Sequence, residues 1–229
     1  MKRFSIVLFI FGTLLVSGQS VVAESEYKIV HKDKVTEDWE VHVDYPRFEH
    51  LESKGLQDTV NFQIVQKLED TLRDVKRGAG EMMGVPYLYY EETSVFKEKT
   101  FYSVVMTSHI SRGNRYNSTV TSINFQDDRG GSIKKLKDLV YIDRLNKEVK
   151  KALEADKETY LQEPFAGVRD NTAFYVKDER LVLVFNKFEV AAGVHGTPEI
   201  SVPLKGILKE ELEKKVPPLP SYTLSTTEM

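Results

Sequence analysis

The sequence predicts an α+β fold, with mainly antiparallel sheets in two modules, each covered by amphipathic helices. Three observations lead there. Ser53 to Arg77 and Tyr141 to about Ala155 repeat apolar residues at three- and four-residue spacing, the pattern of a helix with one buried face. Runs rich in β-branched and aromatic residues, separated by short polar turns, read as strands. The order is strand, helix, three strands, helix, three strands, helix, with no internal repeat and no βαβα alternation of a parallel sheet.

The elements follow in order. Glu24 to Asp38 is charged and lacks periodicity, and reads as a loose arm. In WEVHVDYP, Trp39, Val41, Val43 and Tyr45 alternate with Glu40, His42 and Asp44, a half-buried strand that Pro46 is expected to end. The first helix buries Leu56, Val60, Ile64, Leu68, Leu72 and Val75, and Gly78 and Gly80 are expected to stop it. Tyr87 to Phe96, Phe101 to Ile110 and Tyr116 to Phe125 form a meander. Lys97-Glu98-Lys99 and Ser111-Arg112-Gly113-Asn114 are its turns. Asp127 to Gly131 is the boundary, giving a first module over 24–126 and a second over 127–215.

Ile142, Leu145, Val149 and Leu153 mark the second helix. Phe174 to Pro203 then reads as strand, Lys177-Asp178-Glu179 turn, strand, a bent segment with Glu189, a glycine-punctuated loop and a last strand. A short helix is expected from Leu204 to Lys214, and a disordered tail over 216–229 follows Val216-Pro217-Pro218.

The first 23 residues have the make-up of a signal peptide. Lys2 and Arg3 precede the apolar run Ser5 to Val16, and Val21-Val22-Ala23 offers a cleavage site before Glu24. The run is shorter than the roughly 20 residues a membrane span requires, and no later segment could span a membrane. Cleavage removes two positive charges and takes the formal charge from −3 to −5. That mildly acidic balance lacks the basic footprint of a nucleic-acid binder. Cysteine is absent, so disulfides, thiol catalysis and a lipidated cysteine are excluded. The expectation is a secreted or extracytoplasmic bacterial protein of the cell envelope, in which Asn117-Ser118-Thr119 is a chance glycosylation match.

Catalytic motifs are missing: there is no GxSxG, HExxH, P-loop or Rossmann fingerprint. Glu40, His42 and Asp44 share one strand face, a spacing that can hold a metal. A solvated strand face produces the same pattern, and no metal and no cofactor are expected. Glu189, His195 and Glu199 gather around Gly193 and Gly196, but no nucleophile or oxyanion donor stands with them. Phe188, Val194 and Pro198 give the same loop apolar surface, which suits protein binding. Phe188, Glu189, His195 and Pro198 are the candidate partner-binding residues.

The stretch NTAFYVKDERLVLVFNKFEVAAGVHGTPEISVPLKGIL resembles the C-terminal module of the RsiV-like extracellular domains. Phe174, Tyr175, Leu181, Phe185, Phe188, Glu189, Ala191, Gly196, Val202 and Pro203 carry the likeness, together with Leu136, Asp138 and Leu139 upstream. WEVHVDYPRFEHL and the following Asn61-containing helix are similar to the partner module, also seen in the non-catalytic N-terminal region of the peptidoglycan deacetylase PdaC. The resemblance implies a non-catalytic exported module. Its implied partner is a lysozyme-type muramidase or another envelope protein, with a peptidoglycan binder or peptidoglycan-acting enzyme as the alternative. The chain departs from the family pattern at Ala192 and Gly193 and in the Arg112 to Arg115 turn.

Overall fold

A computed structural model describes residues 25–81, 85–161 and 165–209. The signal peptide, the tail over 216–229 and the second half of the helix expected from Leu204 lie outside these residues. The architecture is α+β in two modules. A six-stranded sheet contains β1 (Tyr27–Val35), β2 (Trp39–Phe48), β3 (Tyr87–Glu98), β4 (Phe101–Arg112), β5 (Arg115–Gln126) and β6 (Ser132–Ile133), in that order. A three-stranded sheet contains β7 (Ala173–Lys177), β8 (Arg180–Val184) and β9 (Glu199–Pro203). The helices are α1 (Lys54–Glu81), the single turn α2 (Leu136–Leu139) and α3 (Ile142–Ala155).

These elements stack in four layers. Leu56, Val60, Ile64, Leu68 and Val75 of α1 are buried against Val41, Val43, Tyr89, Tyr102, Val104 and Met106 of the larger sheet. Each such side chain contributes about 1.5–3 kcal/mol by leaving water. On the sheet's other face, Phe96, Val105 and Val120 meet Ala173, Tyr175, Val182 and Val184 of the smaller sheet. The far face of that sheet, with Phe174, Leu181, Leu183, Ile200 and Val202, packs on Leu145 and Val149 of α3. Strand β4 is therefore covered on both sides, and its first six residues are all buried.

Four expectations are corrected. The segment taken as a loose arm is β1, paired with β2 from Tyr27↔Phe48 to Val35↔Glu40. Its charges hide the alternation because an edge strand needs little apolar surface. Strand β2 also runs through Pro46. Phe48 turns both its N–H and its C=O to the Asn61 side chain, each at 2.9 Å. By the two-residue period, Pro46 aims its nitrogen the same way, off the ladder with β1.

Third, Gly78 and Gly80 lie inside α1. A Cβ on Gly78 would sit 2.8 Å from the Tyr87 hydroxyl, so this glycine serves close packing rather than termination. Fourth, residues 205–207 form a turn where a helix was expected, and Gly206 there has φ +87°. Leu208 there bridges to Val140. One parallel pair also departs from the antiparallel rule: β2 runs alongside β3 from Trp39↔Tyr87 to Val43↔Glu91, with α1 as the crossover.

The expected hairpin at Lys177 is present. Asp178 and Glu179 have φ of +52° and +57°, so two consecutive left-handed residues turn the chain without glycine.

Candidate functional site

The loop leaving β8 is braced from beneath. Asn186 Oδ1 accepts the Val120 N–H of the larger sheet at 2.8 Å. The Glu189 carboxylate accepts from the Asn186 backbone N–H at 3.0 Å and faces the Arg169 guanidinium at 2.5 Å. The Glu189 N–H in turn donates to the Asn186 carbonyl at 3.0 Å, closing the turn. Phe185 donates to the Pro198 carbonyl at 3.0 Å, and Val190 and Ala191 are buried. Glu189 and Pro198 thus belong to the base of the loop.

The top of the loop is apolar and open. Phe188 is 65% exposed and Val194 87% exposed. Phe188 has φ +67°, a left-handed conformation that turns its side chain away from the neighbouring Glu189. Its ring rests over Gly193, where any Cβ would collide with it. His195 is also exposed, in the single 3₁₀ turn Gly193–His195. Asp156 lies below the usual carboxylate range, chiefly through the Thr159 hydroxyl, with His195 a smaller contributor. Among the described residues, no hydrogen bond or ion pair joins Glu189 to His195.

A side-chain stack that composition and spacing did not reveal links this loop to the sheet. The Lys187 ammonium lies 5.1 Å from the Phe188 ring centre and 4.9 Å from that of Tyr116. The Tyr116 hydroxyl meets His109 Nδ1. His109 in turn stacks on Tyr90 with centroids 4.4 Å apart and planes 10° from parallel. Its Nε2 points to Glu92 at 3.4 Å. The register Tyr90↔His109 builds this arrangement, and register becomes visible only once strands are paired.

The other polar cluster gains two members from β1. His31 Nδ1 is 2.5 Å from Asp44 and its Nε2 is 2.6 Å from Asp33. Asp33 also reaches His42 Nδ1 at 2.9 Å, while Glu40 lies 3.7 Å from His42 Nε2. Two carboxylates flanking one imidazole call for both ring nitrogens to donate. The Asp44 hydrogen bond, then the Asp33 one, accordingly pushes His31 above the ordinary histidine value. Among the described residues, no group of three or more histidine, aspartate or glutamate side chains is arranged to hold a metal ion.

Under α1, Glu91 is 4% exposed. One of its oxygens accepts from the Tyr89 hydroxyl at 2.6 Å and from Ser108 at 2.7 Å. The other has no protein partner. Burial pushes this carboxyl above the usual range, against the smaller opposing effect of those two hydrogen bonds.

A family model described as a protein of unknown function (DUF3298) matches residues 134–205. The second module is similar to that family from α2 to β9, and the match includes the braced loop. No curated protein matches the chain. Among the described residues no helix is long and apolar enough to cross a membrane.

Proposed function

We propose that this is an exported, non-catalytic binding protein of the bacterial cell envelope, and that the loop from Phe188 to Pro198 contacts its partner. The observation that carries this reading is the pairing of a fixed base with an open apolar top. Phe188 and Val194 are held outward by a turn whose polar groups are already committed to Arg169, Asn186 and Val120. Exposed, preorganised aromatic and aliphatic side chains are what a protein interface uses as anchors. The RsiV-like resemblance is what suggests a lysozyme-type muramidase as that partner.

The test is a lysozyme titration on immobilised residues 24–229, at low and at moderate salt. Saturable binding that survives moderate salt is expected, weakened at least about tenfold by a Phe188→Ala, Val194→Ala pair. Binding that disappears with salt is non-specific attraction between an acidic and a basic protein. That result, or no binding at all, overturns lysozyme as the partner.

The alternative enzyme reading has Glu189 and His195 as an acid–base pair. Turnover of peptidoglycan fragments, lost on Glu189→Gln, would establish it. The engagement of Glu189 by Arg169 and Asn186 favours a bracing role instead.

A further inference from the structure

The outer face of the first sheet sorts its charges by side. On β1, Lys32 turns toward α1 and pairs with Glu69 at 3.1 Å, and Lys34 turns to the Trp39 ring at 5.3 Å. Asp33, Glu40, Asp44 and Glu92 occupy the opposite alternation across β1, β2 and β3. Within positions 31–35, 40–44 and 88–92, that alternation holds no lysine or arginine. Between these carboxylates stand Val35 at 63% exposure, Leu88 at 37% and Tyr90 at 42%. The smaller sheet covers the Phe96, Val105 and Val120 end of this face and leaves the β1–β3 end open among the described residues. Sequential positions on one strand alternate faces whatever their charge, so strand geometry alone does not separate acids from lysines in this way.

We propose that the open β1–β3 face is a docking surface for a lysine- and arginine-rich protein surface, with Leu88 and Tyr90 as apolar anchors between acidic groups. Charge complementarity names the occupant: the four carboxylates share positions 31–35, 40–44 and 88–92 of this face with no lysine or arginine, the ionisable His31, His42 and His109 stand among them, and Lys187 lies only at the edge, beyond Tyr116. Exposed apolar side chains ringed by one sign of charge give both contact area and steering for a partner of the other sign. The Tyr90–His109–Tyr116–Lys187 stack makes the face continuous with the Phe188 loop. The inference rests on the binding reading above and extends its surface from the second module onto the first.

The experiment compares three forms of residues 24–229 against lysozyme as the basic probe: the native chain, Glu40→Gln/Asp44→Asn/Glu92→Gln on the open face, and Lys32→Gln/Lys34→Gln on the helix side. The expected result is affinity lowered about tenfold or more by the first set and unchanged or raised by the second. Lysozyme binding that ignores the acidic set overturns this inference and leaves the loop reading intact. If lysozyme does not bind, the loop reading loses its partner, and the face is read with an octalysine peptide by amide chemical-shift mapping. Shifts concentrated on β1–β3 and abolished by the acidic set uphold the proposal. Shifts scattered over all acidic surface, or absent, overturn it. So would amides of His31, Asp33 and Val35 in the free chain that a soluble paramagnetic agent cannot relax, because another segment of the chain would then cover the face.

Discussion

Single residues carry two pH-dependent predictions of opposite location and the same sign. Glu91 is a buried acid held above its ordinary range, so the folded state keeps a proton that the unfolded chain gives up. Its contribution is fully present below the unfolded carboxyl value and declines as pH rises through the folded one. Glu91→Gln is therefore expected to flatten the pH dependence of stability. It should narrow the gap between the urea midpoints measured at pH 4.5 and at pH 8, by removing the loss on the alkaline side. An unchanged difference between the two pH values would count against this.

His31 is an exposed base held high by Asp44 and Asp33, so its clasp across β1 and β2 is complete below the unfolded histidine value and loosens as pH rises through the folded one. In a histidine NMR titration, His31 should turn over above the ordinary value, and Asp44→Asn should bring it back toward it. Three of this cluster's five members were legible in the sequence. Glu40, His42 and Asp44 showed themselves by alternation, but His31 and Asp33 sit in a segment without an apolar stripe. The candidate loop divides similarly. Its glycine punctuation was readable, whereas the φ of +67° that sends Phe188 outward and Glu189 inward leaves no mark on residue spacing.

At the scale of elements, two devices replace what a sheet ordinarily supplies. The Asn61 amide stands in for a neighbouring strand at Phe48, giving that residue both a donor and an acceptor. Asn61→Ala strands two backbone groups and is expected to cost about 2–3 kcal/mol, measurable as a drop in chemical stability. The Asp178-Glu179 turn holds two side-chain-bearing residues at positive φ where Asn-Gly is preferred. Replacing both with Asn-Gly should raise the melting temperature, with a gain on the order of 0.5–1 kcal/mol, provided that the hydrogen bond from the Asp178 N–H to Glu98 persists at 3.1 Å. Helices and the meander were legible because their periodicities are local. The parallel β2/β3 pair was not, since a strand's partner depends on how α1 folds back, and Gly78 reads as a stop until Tyr87 is seen against it.

For the whole molecule, the two modules share groups across the turn at Asp127 to Gly131. Phe101 of the first sheet lies in the core built by the second sheet and α3. Asn186 and Ser122 tie the two sheets by hydrogen bonds of 2.8 and 3.0 Å to backbone N–H groups. A chain cut at residue 126 is expected to yield pieces that do not fold alone, seen as poor amide dispersion in residues 127–229 expressed separately. A well-dispersed spectrum from that piece would mean that the sheet-to-sheet contact is an association between self-sufficient units.

Trp39 is the protein's single tryptophan, at the start of β2, with the Lys34 and Lys76 ammonium groups each 5.3 Å from its ring. The molecule therefore has one intrinsic optical reporter, attached to the side of the first sheet that α1 covers. Two lysines at a tryptophan make its emission sensitive to charge and to fraying of the α1 end that carries Lys76. Phe188 lies beside Tyr116, whereas the Trp39 ring packs on the α1 side of the sheet, so a flat emission trace during titration is no evidence of an idle loop. In unfolding, the same locality becomes useful: emission follows the first module, while tyrosine circular dichroism follows both. Coincident curves from the two signals would mark one cooperative body, and separated curves would date the parting of its halves.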